Sequence, residues 1–138
     1  MSKEKRLNRE DILRIVSELD FFGGEDCWLT SGASLVLFGV KDSTRDVDVI
    51  CTRALADRLE ARGVPFRRDG LDNTRIFAFN SLVEVLEDWD TQEIVEEAGL
   101  RTASLLSVRA QKAALGREKD LADMALIDAF LERKEAGK

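Results

Sequence analysis

Asp46 and Asp48 stand two residues apart in the run Arg45-Asp46-Val47-Asp48-Val49-Ile50. On an extended chain, residues i and i+2 leave the same side, so both carboxylates share one face while Val47 and Val49 bury on the other. Two acids that close repel each other and shift one another's protonation unless positive charge sits between them. A divalent cation meets that need, and magnesium is typically held by one or two carboxylates together with substrate phosphates. The composition narrows the remaining chemistry. There is no histidine among the 138 residues, which removes Ser-His and Cys-His nucleophile systems and makes the usual zinc sites improbable. A formal net charge of −6 argues against a grip on nucleic acid through bulk electrostatics. Carboxylates, Lys, Arg, Ser and Thr are left to act.

The elements that must hold these acids follow from periodicity and punctuation. Asn8 is placed to cap a helix over residues 9–19, with Ile12, Ile15, Val16 and Leu19 on one face. Residues 27–30 read as a short strand, and residues 32–38 as a short buried helix ending at Gly39. The acids then lie on a strand over 46–52, followed by an amphipathic helix over 54–62 that stops at Gly63 before Pro65. Residues 75–79 and 82–86 read as two strands joined at Asn80-Ser81, a hairpin pattern. Residues 91–98 read as an acidic helix closed by Gly99, and two further helices are expected over 105–115 and 119–132. Strands clustered centrally with helices around them predict an α+β or α/β architecture in a single domain over residues 1–138. The length allows a real core, and no apolar run is long enough to span a bilayer. No leader is visible behind the charged amino terminus, so a cytoplasmic location is expected, with Cys27 and Cys51 as buried free thiols.

The turn glycine Gly32, thirteen intervening residues, and then Asp-hydrophobic-Asp-hydrophobic together resemble the signature of the DNA polymerase β-like nucleotidyltransferase superfamily. Residues 106–117 (Leu-Ser-Val-Arg-Ala-Gln-Lys-Ala-Ala-Leu-Gly-Arg) resemble a motif of the abortive-infection type IV toxin nucleotidyltransferases, in which a helix lysine precedes Ala-Leu and an arginine. Lys119-Asp120-Leu121-Ala122-Asp123 resembles that family's closing basic-Asp-x-x-Asp motif, and the pieces keep the family's order over residues 27–130. Small antibiotic nucleotidyltransferases of the lincosamide-modifying kind share the first motif and much of the architecture.

The resemblance implies an α+β minimal nucleotidyltransferase fold: a small mixed sheet flanked by helices, with a helical pair at the C-terminal end. It also implies a Mg-dependent transfer of a nucleoside monophosphate from an NTP to a hydroxyl acceptor on a small molecule, a protein or an RNA end. Two magnesium ions would be held by Asp46, Asp48 and a third acid. The best candidate for that acid is Glu84, an isolated charge in Val83-Glu84-Val85, where an acid amid apolar residues wants a partner or a metal. Glu87 and Asp88 are the alternatives, and Glu84 could instead face solvent. Ser31, Gly32, Ser34, Thr44, Arg45, Lys112, Asp120 and Asp123 fill the nucleotide-binding positions. Ser31 replaces the first glycine of the usual pair, and its hydroxyl can donate to phosphate.

Competing readings belong beside these. Asp120 and Asp123 also suit a cap pair at the start of the last helix. The arginines between Arg53 and Arg75, and the seven acids between Glu84 and Glu97, form a charge dipole that a solvated surface also explains. Trp28 and Trp89 are read as core residues. The alternative function is a catalytically inactive nucleotide-binding or toxin–antitoxin-type interaction module of the same fold. The chain is much shorter than the toxins, which makes a large RNA acceptor doubtful. A second copy of this chain is a further candidate partner, since a small domain with an open cleft often completes its site that way.

Overall fold

A computed structural model describes residues 6–69 and 72–137; the stretch read for a leader lies outside them except for Arg6. In chain order the elements are α1 (Arg9–Ser17), β1 (Cys27–Thr30), α2 (Ser31–Phe38), β2 (Val47–Cys51), α3 (Arg53–Ala61), β3 (Phe66–Asp69), β4 (Thr74–Ala78), β5 (Val83–Glu87), β6 (Ile94–Glu97), β7 (Leu100–Ala103), α4 (Leu105–Leu115) and α5 (Glu118–Ala136). The seven strands form one mixed sheet in the order β3-β4-β5-β2-β1-β7-β6. The architecture is α+β with a C-terminal helical pair, as the sequence led us to expect.

Burial explains why β2 and β5 lie at the centre. Val47, Val49, Ile50 and Cys51 are all buried, as are Val83, Val85 and Leu86, so both faces of these strands are covered along most of their length. One face packs Val49, Val85 and Phe77 against Leu55 and Leu59 of α3 and against Ile12 and Val16 of α1. The other carries Ile50, Ile76 and Leu86, with Trp28 and Trp89 packed against them. A separate cluster of Leu35, Ala103, Leu105, Val108 and Ile127 joins α2 to the C-terminal helices. Asn8 caps α1 as expected: its side chain accepts from Asp11 N at 2.9 Å, and the Asp11 carboxylate returns the bond to Asn8 N at 3.0 Å.

Three differences from the sequence reading bear on the site. β5 pairs directly and in parallel with β2, setting Asp48 opposite Glu84, in addition to its antiparallel pairing with β4. The expected helix over 91–98 is instead strand β6, hairpinned to β7. Ala98 and Gly99 both take positive φ, 53° and 79°, which is the backbone of a two-residue hairpin turn rather than a helix stop. β3 is an edge strand exposed at every residue, so it had no apolar alternation to reveal it. Among the described residues, no helix is long and apolar enough to cross a membrane. Cys27 and Cys51 are free and buried, as expected, and face each other as register partners on β1 and β2.

Candidate functional site

The site begins where β1 hands the chain to α2. Ser31 takes φ +55° there, a left-handed conformation that costs a residue with a side chain roughly 1–2 kcal/mol. A Cβ at Gly32 would run into Thr44 Oγ1, so the position has room only for hydrogen. Thr44 is fixed in turn by a bridge to Leu7, with Leu7 N donating to Thr44 O at 2.7 Å and Thr44 N to Leu7 O at 2.9 Å. The first turn of α2 therefore presents unpaired backbone N–H groups beside a serine and a threonine hydroxyl, an arrangement suited to an anion.

Next to that turn, Asp48 lies between Thr30 of β1 and Glu84 of β5 in the sheet register. Burial pushes its carboxyl up to about 7, and the charges of Asp46 and Glu84 push the same way. Lys112 and Lys119 pull against that rise without cancelling it. Asp46, just outside the strand, is exposed. Glu84 Oε2 accepts from Arg67 Nη1 at 3.3 Å.

The C-terminal helices close the other side. Lys112 is 6% exposed, and its Nζ donates to Ser31 Oγ at 3.4 Å. The same ammonium is 2.9 Å from Asp123 Oδ2 and 3.6 Å from Asp120 Oδ1. Asp123 also pairs with Lys41 at 3.2 Å, and Asp120 takes Arg117 Nε at 2.6 Å and its backbone N at 3.2 Å. Arg117 in turn holds the Asp120 carboxyl below its usual range.

These groups line a cleft of about 510 Å³. Of the residues singled out from the sequence, Ser31, Gly32, Thr44, Arg45, Asp46, Asp48, Glu84, Lys112 and Asp123 line it. Two others do not. Ser34 is fully buried one helical turn further on, where its hydroxyl accepts from Thr102 at 2.7 Å, so it ties α2 to β7 instead of facing the cleft. Asp120 is also fully buried and caps α5 while pairing with Lys112, so the two sequence readings of it coincide in a supporting role. Of the alternatives to Glu84, Glu87 is engaged with Arg75, and Asp88 is exposed at positive φ. The sequence reading did not single out Gln111, and it named Arg67 only within the basic run; Trp89, read as core, packs against Ile50, Ile76 and Leu86 and also borders the cleft. Arg67 sits in a strand with no pattern to expose it, while Gln111 could have been found as the neighbour of Lys112. A second cavity of about 590 Å³ adjoins, sharing Asp69, Trp89, Gln111 and Leu115 with the cleft.

Among the described residues, no group of three or more Asp, Glu, Cys or His side chains is gathered to hold a metal ion as it stands. The donor chemistry of Asp46, Asp48 and Glu84 is nonetheless all carboxylate oxygen, which suits a hard cation such as magnesium. No protein-family model matches this sequence, and the comparisons with curated proteins and with solved structures likewise gave no match.

Proposed function

We propose that the chain is a Mg-dependent nucleotidyltransferase of the DNA polymerase β-like kind, moving a nucleoside monophosphate from an NTP to a hydroxyl acceptor. The observation that carries the reading is the convergence of Asp48 and Glu84, in register on adjacent strands, with Ser31, Gly32 and the Lys112 ammonium in one cleft. Each part answers a different portion of the substrate. The open turn of α2 offers N–H groups to phosphate oxygens. Lys112 adds a compact positive charge there, kept in place by Asp120 and Asp123. Asp46, Asp48 and Glu84 are the residues that would hold magnesium, which when bound neutralises phosphate charge and acidifies an attacking hydroxyl.

The adjoining cavity is the natural seat for the acceptor, since Trp89 and Gln111 border both spaces. In the transfer, the acceptor oxygen bonds to the α-phosphorus, the bond to the pyrophosphate oxygen breaks, and the hydroxyl proton passes to a cleft carboxylate. Glu84 is suited to take it, since it borders the cleft and its carboxylate is held by the exposed Arg67.

Asp46→Asn tests the reading, since Asp46 is exposed and its replacement leaves the fold alone. Magnesium-dependent NTP turnover, followed as pyrophosphate release, should fall by at least about 100-fold with the melting temperature unchanged; retained turnover would sink the mechanism. A non-catalytic nucleotide-binding module is the second reading, favoured by Ser31 at the strained turn position. Calorimetry with each NTP and magnesium, in parallel with the turnover assay, separates the two: binding without turnover selects the module.

A further inference from the structure

Arg67 lies on β3, whose four residues are all exposed, so no core packing fixes its side chain. Its Nη1 nevertheless reaches Glu84 Oε2 at 3.3 Å, with the two side chains 57% and 40% exposed. A pair that open to water contributes little to stability, so its consequence lies in the cleft that both residues line. Of the other cations lining the cleft, Lys112 and Lys41 pair with Asp123, Arg117 pairs with Asp120 and Arg6 bonds Ser43, while the charge of Lys119 acts on Asp48. Arg67 thus sits on the acid proposed as the third carboxylate. A guanidinium on a carboxylate oxygen competes with any cation seeking that oxygen. The same guanidinium fits phosphate oxygens with its planar fork of donors.

We propose that Arg67 is a positioning residue that changes partners: it holds Glu84 while the cleft is empty and moves to a phosphate when a nucleoside triphosphate enters, releasing Glu84 for a divalent cation. This rests on the nucleotidyltransferase reading above. It makes cation and nucleotide binding mutually dependent, because each helps remove the contact that blocks the other. Leaving Glu84 costs Arg67 little, since the pair that breaks is exposed and weak.

The test uses Mn²⁺ alone, followed by electron paramagnetic resonance, and tripolyphosphate alone with a chelator present, followed by calorimetry. The proteins are the full chain and its Arg67→Ala, Glu84→Gln, doubly substituted and Asp48→Asn forms, each checked by thermal melting. Arg67→Ala should bind Mn²⁺ about three- to fivefold tighter and tripolyphosphate weaker by a similar factor. In the Glu84→Gln background, the same substitution should leave Mn²⁺ affinity unchanged, because the carboxylate that Arg67 occupied is gone. An equal gain in both backgrounds would mean that only net charge had changed, and that overturns the exchange. So does Mn²⁺ binding that depends on Asp48 but is indifferent to Arg67, and in that case the metal reading survives. Mn²⁺ binding that is the same in Asp48→Asn as in the parent removes the metal site itself, and the proposal with it.

Discussion

Strand β5 carries two glutamates three residues apart that point to opposite faces of the sheet and meet opposite surroundings. Glu87 receives Arg75 through three bonds: Nε to Oε1 at 2.9 Å, Nη2 to Oε2 at 2.7 Å, and the Arg75 backbone N to Oε1 at 2.9 Å. Glu60 and Asp57 of α3 complete the guanidinium's bonding at 3.0 and 2.8 Å. Those hydrogen bonds hold the Glu87 carboxyl down to about 2. On the other face, Glu84 has one long bond to an exposed arginine, and its neighbour Asp48 is pushed up to about 7. The contrast separates acids that serve the scaffold from acids that, on the proposed function, are open to a ligand. An acid whose every oxygen is answered from within the fold locks strand to helix. One that is crowded by other acids and only partly answered is left for something that the fold does not supply.

The largest expected effect comes from removing the answer on the closed side. Arg75→Ala leaves the buried Glu87 with only the exposed Arg53 at 3.8 Å, which should cost about 3–5 kcal/mol and lower the melting temperature by more than about 10 °C. The folded Glu87 carboxyl titrates below its ordinary 4.5, so its contribution is complete above that pH and fades as pH falls toward 2. The parent should therefore lose stability over that acid range, and the Arg75→Ala protein should lack that share of the loss. A melt within about 3 °C of the parent at pH 7 would break the comparison.

On the open side the sign reverses. The folded Asp48 carboxyl titrates near 7 against an ordinary 3.8, so the fold disfavours its charge. Stability is then fullest below about pH 4 and declines as pH rises through 7. Asp48→Asn removes the charge and should raise the melting temperature by roughly 3–8 °C at pH 8, with little change at pH 4 and with NTP turnover lost. A destabilised Asn form at pH 8 would place Asp48 with the scaffold acids.

The smallest effect carries the comparison from charge to backbone. Ser31→Gly relieves the left-handed strain beside the cleft but loosens the unfolded chain, so the net gain should be under about 1 kcal/mol by denaturant titration.

Much of this organisation was readable in advance, and the reasons differ by region. Asp46, Asp48 and the Ser31-Gly32 turn were legible because they are local: spacing and punctuation specify them without knowledge of the rest of the chain. Lys112 and Asp123 were legible as members of an ordered series. Their contact with each other and with Ser31, across α2, α4 and α5, is a property of packing. Arg67 was legible only as one charge of the basic run, because an exposed edge strand carries no period that would place it against Glu84. β6 was misread because Glu-rich residues suit a helix, while Ile94-Val95 and the Ala98-Gly99 turn suited a strand, and pairing with β7 decided between them. Ser34 was taken for a ligand position because sequence proximity to the turn says nothing about which side of α2 faces the sheet.

The facing cysteines give the sheet a clock. Cys27 and Cys51 are buried on the two adjacent strands that bring Thr30 and Asp48 together, and burial pushes their thiols up to about 11 and about 12. At neutral pH both buried sulfurs are protonated and shielded from solvent, so a thiol reagent reacts only after β1 and β2 part. The rate of labelling thus reports how often the centre of the sheet opens, and any ligand that settles between those strands and α4 will slow it.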